Sequence, residues 1–220
     1  MIKVDNIDVW GFKHAIRSMR NPLNSWNNSD SEYIATGDHY ENVDFIIGQN
    51  DLDLMKRLYK AGTEHRTYAR MIQCSMDITA PLYWWKEMDR YTVGKSQVSC
   101  STMHKIAAKE FDINDFSHEH IEDLNDMDYN TGYQEWINII NCLNYMREKY
   151  LETKDKKYWW QLIQLLPSSY NQRRTICMSY ETVFKIIRER TGHKLDEWNE
   201  FVKILTKLPY VREICEKSEV

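Results

Sequence analysis

Residues 89–104, DRYTVGKSQVSCSTMH, set Arg90, Lys95, Gln97, Ser99, Ser101 and His104 around one glycine, just ahead of an expected helix. Backbone N–H groups at a helix start carry partial positive charge, and hydroxyls and a lysine beside them add donors suited to an anion. The same residues also suit a plain N-cap, in which Ser99, Ser101 or Thr102 satisfies the helix end and the others face water. A second group is SSYNQRRT, residues 168–175, with Arg190 one helix later. Adjacent guanidinium forks at Arg173 and Arg174 suit a phosphate or a uracil carbonyl, and equally a solvated surface. His65, in Glu64-His65-Arg66, stands alone, which usually means a structural or exposed histidine. His118-Glu119-His120 has no third ligand at a recognisable spacing, so no metal site is expected. The aromatic runs LYWW (82–85) and YWWQL (158–162) could hold a flat ring, but such runs more often form core or oligomer interface.

The elements that must position these groups follow from periodicity. Ile2 to Val9 suits a short strand and Phe12 to Met19 a helix. Asn21 to Asn50 is rich in Asn, Asp and Ser and holds a GDHYEN turn, so it is expected to be loop with one strand near Asp44–Ile47. Asp51 to Ala61 places Leu52, Met55, Leu58 and Tyr59 on one helical face, with Gly62 to end it. Met71 to Ile78 alternates Ile72, Cys74, Met76 and Ile78 with polar residues, the period of a half-buried strand. Thr79-Ala80-Pro81 then opens a helix. Ser99 to about Phe111 is expected to be helical and Asp112 to Thr131 an acidic loop. After that, three- and four-residue spacings at Tyr133–Ile140, Tyr180–Ile187 and Leu195–Leu205 predict helices, interrupted at Leu166-Pro167-Ser168-Ser169. Early strands and late helices predict an α+β fold with a small sheet and a helix-rich C-terminal half, in one domain over 1–220.

Composition excludes several classes. Seven Gly and four Pro in 220 residues fall well below usual levels of about 7% and 5%, against collagen-like or linker-rich chains. Hydrophobic residues at 42%, with eight Trp, fourteen Tyr and six Phe, supply a core and argue against disorder. A net charge of −4 disfavours nucleic-acid binding as the main role. No apolar run is long enough to span a membrane, and Lys3, Asp5 and Asp8 break any signal sequence. Five scattered cysteines without a CxxC pair give neither a disulfide framework nor a zinc ribbon, so a reducing cytoplasm is expected.

The order of the pieces resembles the flavin-dependent thymidylate synthase family. They are AIRSMRNPLNSW (15–26), KAGTEH (60–65), the strand to Pro81, WWKEMDRY with SQVSCSTMH, and LP…YNQRRT…SYE…R…HKLDEW (166–198). The resemblance covers nearly the whole chain. It implies an α+β homotetramer that binds FAD and dUMP in sites shared between subunits, uses NADPH, and takes a one-carbon unit from methylenetetrahydrofolate. The family signature is RHRxxSxNExSxR. With its last serine at Ser99, Gln97 takes the glutamate column, Ser96 the asparagine column, and Asp89, Arg90 and Tyr91 the R-H-R columns. Ser101 replaces the closing arginine.

Arg190 matches the late-helix arginine that holds dUMP, eight residues before a tryptophan. The resemblance therefore puts Gln97, Ser99 and Arg190 on the nucleotide, with Ser101 at a phosphate-binding turn helped by Arg173 or Arg174. His65 and Arg90 fall to the flavin side. It assigns no catalytic residue, and Cys100 lacks the context of the cysteine nucleophile of classical thymidylate synthases. The altered signature also suits a different pyrimidine nucleotide, or a nucleotide-binding oligomer that kept the fold and lost the flavin.

Overall fold

A computed structural model describes residues 2–36, 42–121 and 132–215. Residues 37–41 of the expected turn and 122–131 of the acidic segment lie outside them. The described elements run β1 (Lys3–Trp10), α1 (Phe12–Arg20), β2 (Glu32–Thr36), β3 (Asn42–Ile46), α2 (Gln49–Ala61), β4 (Gln73–Pro81) and α3 (Leu82–Met88). They continue with β5 (Lys95–Ser99), α4 (Thr102–Lys105), α5 (Gly132–Thr153), α6 (Lys156–Leu165), β6 (Asn171–Ser179), α7 (Tyr180–Arg190), α8 (Asp196–Leu205) and α9 (Val211–Cys215). Four strands form one sheet in the order β1-β4-β6-β5, and β2 pairs antiparallel with β3. This is the α+β architecture expected, a small sheet with most of the helix in the second half.

β4 follows its period closely. Cys74, Met76, Ile78 and Ala80 are fully buried while Gln73, Ser75, Asp77 and Thr79 are half-buried, and Pro81 then starts α3 with φ −68. The polar stretch 21–50 departs from expectation. Two short 3-10 turns (Asn21–Leu23, Trp26–Asn28) precede a strand pair with Tyr33 opposite Phe45 and Ile34 opposite Asp44. The Tyr33–Phe45 ring contact, centroids 5.0 Å apart, supplies the cross-strand pairing energy that a Ser/Asn-rich composition conceals.

The larger correction is β6. The sequence pattern places a break at 166–169 and a helix from Tyr180 and marks no strand between them, whereas Asn171–Ser179 forms a strand inside the sheet. Gln172, Arg174, Ile176 and Met178 share one face, and Arg173, Thr175 and Cys177 the other. Charge at the first positions hides the alternation. Gln172 is tolerated inside because its amide Nε2 donates to the Cys100 carbonyl at 2.9 Å and its Oε1 accepts from Arg174 Nε at 2.9 Å, so both ends of the amide have a partner.

The expected helix from Ser99 to Phe111 is also corrected. Lys95–Ser99 is an edge strand, and the helix shrinks to four residues, Thr102–Lys105. Ser101 caps it, accepting from the His104 N–H at 3.2 Å.

The residues divide into two compact units. One comprises Met1–Val4, Asp77–Arg90 and Val98–Thr175; the other comprises Asp5–Met76, Tyr91–Gln97 and Ile176–Val220. The first packs Phe111, Phe116, Trp136, Ile140, Leu143 and Leu162 into one cluster. Phe116 and Trp136 meet edge-on with centroids 5.1 Å apart. Trp84 and Trp85 are fully buried in the chain itself, so of the four tryptophans suggestive of an interface only Trp160 is well exposed, at 45%.

The second unit centres on Met55, Tyr68, Met76, Met178, Phe184 and Trp198, all 1% exposed or less. Gly11 begins α1 there with φ 100, and an added Cβ would lie 2.1 Å from the Met71 carbonyl oxygen, so only glycine fits.

Candidate functional site

In the first unit, β6 presents Arg173 and Arg174 to opposite faces. Arg173 Nη2 donates to Asp77 Oδ2 at 2.7 Å, and the Thr175 hydroxyl donates to the other oxygen of the same carboxylate. The Arg173 side chain remains 52% exposed, so its fork is oriented by β4 yet open to solvent. Arg174 is held on every side. Its guanidinium lies 4.3 Å from the Trp85 ring centroid, Nη1 donates to Asp89 Oδ1 at 2.7 Å, and Nε donates to Gln172 Oε1 at 2.9 Å. A cation over a ring face plus two charge-assisted bonds is the environment of a structural arginine.

The Ser99–Ser101 segment joins this group directly. Cys100 N–H donates to the Arg173 carbonyl at 2.9 Å, and the Trp85 indole N–H donates to the Gln172 carbonyl at 2.9 Å. The structure therefore brings Ser99, Ser101, Arg173 and Arg174 together. Ser99 ends an exposed edge strand, and Arg90 is exposed just beyond α3. A four-residue helix has too small a dipole to hold an anion by itself, and the Ser101 hydroxyl is engaged as its cap.

In the second unit, Arg190 closes α7. Its guanidinium carbon sits 4.4 Å from the Trp198 ring centroid and 5.6 Å from that of Tyr91. Nε donates to the Tyr91 hydroxyl at 2.9 Å, and Nη1 lies 3.0 Å from His193 Nε2. Burial pushes the Tyr91 phenol up, Arg190 pulls it partly back, and Glu189, accepting from the same hydroxyl at 3.1 Å, adds to the rise. Tyr91 thus stays a neutral donor and acceptor between two charged side chains.

Gln97 is exposed on β5, and its carbonyl oxygen accepts from Lys95 Nζ at 3.0 Å. His65 is exposed in the turn after α2, where its N–H donates to the Gly62 carbonyl at 3.1 Å. Its neighbour Arg66 is buried and paired with Glu181 at 2.8 Å. Gly94, with φ 70, lets its carbonyl accept from Ser179 N–H at 2.8 Å, and a Cβ there would lie 2.7 Å from Ser179 Oγ.

The arginines are legible in the sequence, while most of the groups that hold them are not. Asp77 pairs with Arg173, Asp89 and Trp85 hold Arg174, and Tyr91 bonds Arg190; the period-two pattern through 172–178 is the local signal that a strand carries Arg173 and Arg174. His118 Nδ1 lies 3.0 Å from the Phe116 carbonyl. Among the described residues no group of three or more His, Cys, Asp or Glu side chains is placed to share a metal ion, and no helix is long and apolar enough to cross a membrane.

The fold is that of the flavin-dependent thymidylate synthases. The chain superimposes on ThyX of Helicobacter pylori complexed with FAD and dUMP with a TM-score of 0.67, at 17% identity over 98% of this chain and 100% of that one. A second structure of the same enzyme with FAD and dUMP gives 0.65 at 14% identity, again over 98% and 100%. PolB of Streptomyces cacaoi, a UMP/dUMP methylase bound with 5-Br dUMP, gives 0.60 at 14% identity over 97% and 94%. No protein-family model and no curated protein matches the sequence.

Proposed function

We propose that this chain is a flavin-dependent enzyme that transfers a one-carbon unit to the pyrimidine of dUMP, working as a homotetramer. The observation that carries the proposal is the end-to-end match to folds that hold FAD and dUMP together. The donor set suits such ligands: arginine forks, serine hydroxyls and an amide beside aromatic rings, the chemistry phosphates and uracil edges require.

Bound FAD would supply the redox chemistry, with NADPH as reductant and methylenetetrahydrofolate as carbon donor. The chain's own residues bind and orient. Arg173, aimed by Asp77 and Thr175, would meet the nucleotide phosphate together with the Ser99 and Ser101 hydroxyls. Arg190, held over the Trp198 ring and bonded to the Tyr91 hydroxyl, would donate to the nucleotide, and the Gln97 amide would donate to a uracil carbonyl, polarising the ring as charge develops. His65 and Arg90, both exposed, would face the flavin.

A second reading keeps the reaction type but takes UMP. It is favoured by the match to a UMP/dUMP methylase and by Ser101 in place of the arginine that closes the family signature.

A thermal-shift panel of FAD, dUMP, UMP, dCMP and folates tests both readings, since a ligand specific for the folded state raises the midpoint by mass action. Shifts with FAD and with dUMP or UMP are expected. No shift with FAD would remove the flavin enzyme and leave the nucleotide-binding oligomer.

A further inference from the structure

The second unit contains two adjoining cavities that none of the residues proposed for flavin or nucleotide lines. One, about 860 Å³, is walled by the exposed side of α2 (Asn50, Lys56, Arg57, Lys60) and the turn Asn27–Ser29. The other, about 540 Å³, is walled by Ile16 of α1 and by the rings of Trp26, Tyr33 and Phe45. Both volumes lie within the usual range for small-molecule sites of about 300–1,000 Å³. Arg20 and Ser29 line both cavities.

Arg20 is a built feature. It is 5% exposed, and Nε donates to Asp51, itself fully buried. The same carboxylate accepts from the hydroxyls of Ser29 and Ser31, each at 2.6 Å. Nη1 points to the Ser25 carbonyl at 3.3 Å. Nη2 makes no hydrogen bond among the described residues and keeps contact with solvent, which leaves an oriented donor on a residue that lines both cavities.

The α2 wall points to the same chemistry. Lys56 and Arg57 have no ion-pair partner among the described residues. The helix dipole favours Lys60 in the last turn but not the two cations nearer the middle. The one carboxylate in the wall, Asp53, accepts from Gln49 Nε2 at 2.8 Å. Across Arg20, Trp26 and Tyr33 are 50% and 55% exposed, with Trp26 anchored by its indole N–H to Asn21 Oδ1 at 2.7 Å.

We infer that these cavities form one two-part site for a nucleoside diphosphate group, with the flat ring against Trp26 and Tyr33 and the pyrophosphate against Arg20, Lys56, Arg57 and Lys60. The group can come from a free nucleotide or from the adenylate end of a nicotinamide dinucleotide. The site is separate from the flavin and pyrimidine residues proposed above.

Calorimetry of the full chain with pyrophosphate, ADP and NADPH tests it. The parent protein is expected to bind ADP more tightly than pyrophosphate. Lys56→Ala with Arg57→Ala should weaken both by about tenfold or more, the loss expected when charge-assisted contacts go. Trp26→Ala should remove ADP's advantage and leave pyrophosphate unchanged. These positions are half-buried or exposed, so the variants should fold as the parent does. NADPH binding at least as tightly as ADP would assign the site to the dinucleotide, and weaker binding to the free nucleotide.

Failure of both ADP and pyrophosphate to bind the parent, or equal binding by the Lys56/Arg57 variant, would overturn the inference. So would an unchanged ADP-to-pyrophosphate ratio in Trp26→Ala. Flavin binding is expected to survive the Lys56/Arg57 change, and its loss would merge this site with the flavin's own. A parent that binds ADP here but no flavin would overturn the proposed enzyme and leave this site standing.

Discussion

The guanidinium carbon of Arg190 lies over the indole of Trp198, 4.4 Å from its centroid, while its Nε donates to the Tyr91 hydroxyl. An arginine held on a ring face has lost most of its rotamer freedom before any ligand arrives, so less entropy is lost on binding. Arg190→Ala should weaken dUMP binding by about 1.5–3 kcal/mol, the worth of a charge-assisted contact. Arg190→Lys should recover only part of it, because an ammonium cannot stack or fork. Calorimetry that gives the parent affinity for Arg190→Ala would move the nucleotide away from α7.

Arg173 and Arg174, adjacent in sequence, should behave oppositely. Arg173 is half-exposed, and surface ion pairs contribute about 0–1 kcal/mol, so Arg173→Ala should hold its stability and lose nucleotide affinity. Arg174 is 12% exposed, stacked on Trp85 and paired with Asp89. Its replacement by Ala should cost about 1–3 kcal/mol of stability. Urea midpoints for the two variants, measured beside dUMP titrations, separate the roles.

Gly94→Ala should destabilise by about 1–2 kcal/mol or more, since φ 70 is unfavourable for any L side chain. The new methyl would also meet Ser179 Oγ and Thr182 Oγ1 within 3.0 Å. A thermal midpoint equal to the parent's would mean the turn relaxes freely.

Asp51 makes part of the stability pH-dependent. Burial alone would raise its carboxyl, but hydrogen bonds from Ser29, Ser31 and Arg20, with the Arg20 charge, overcome this and hold it below its ordinary value of 3.8. A depressed folded-state value means the contribution is complete above the unfolded value and is lost as pH falls through the folded one. Stability should therefore decline between about pH 5 and pH 2. Asp51→Asn should flatten that acid limb while lowering stability at pH 7 by roughly 3–5 kcal/mol, as expected when a buried partner is removed.

The strand β4 was legible because polar and apolar residues alternate cleanly through Ile72–Ile78 and Pro81 punctuates the end. β6 carries the same alternation, but Gln172 and Arg174 occupy its inner positions, and their burial depends on Cys100, Trp85 and Asp89 from distant parts of the chain. The eight-residue step from Arg190 to Trp198 was visible in sequence and proved to be a contact. Tyr91, 99 residues before Arg190, was not, since no local pattern reports such a separation. Likewise the Trp84-Trp85 pair signalled burial without saying whether the chain or a partner supplies it.

The most direct measurement is the visible spectrum of the purified protein after loading with FAD and gel filtration, recorded before and after addition of dUMP or UMP. The account predicts that a flavin absorption band co-elutes with the protein and is perturbed by the pyrimidine nucleotide, as expected for a ring stacked against the flavin. A colourless protein, or a bound flavin whose spectrum ignores both nucleotides, would contradict it.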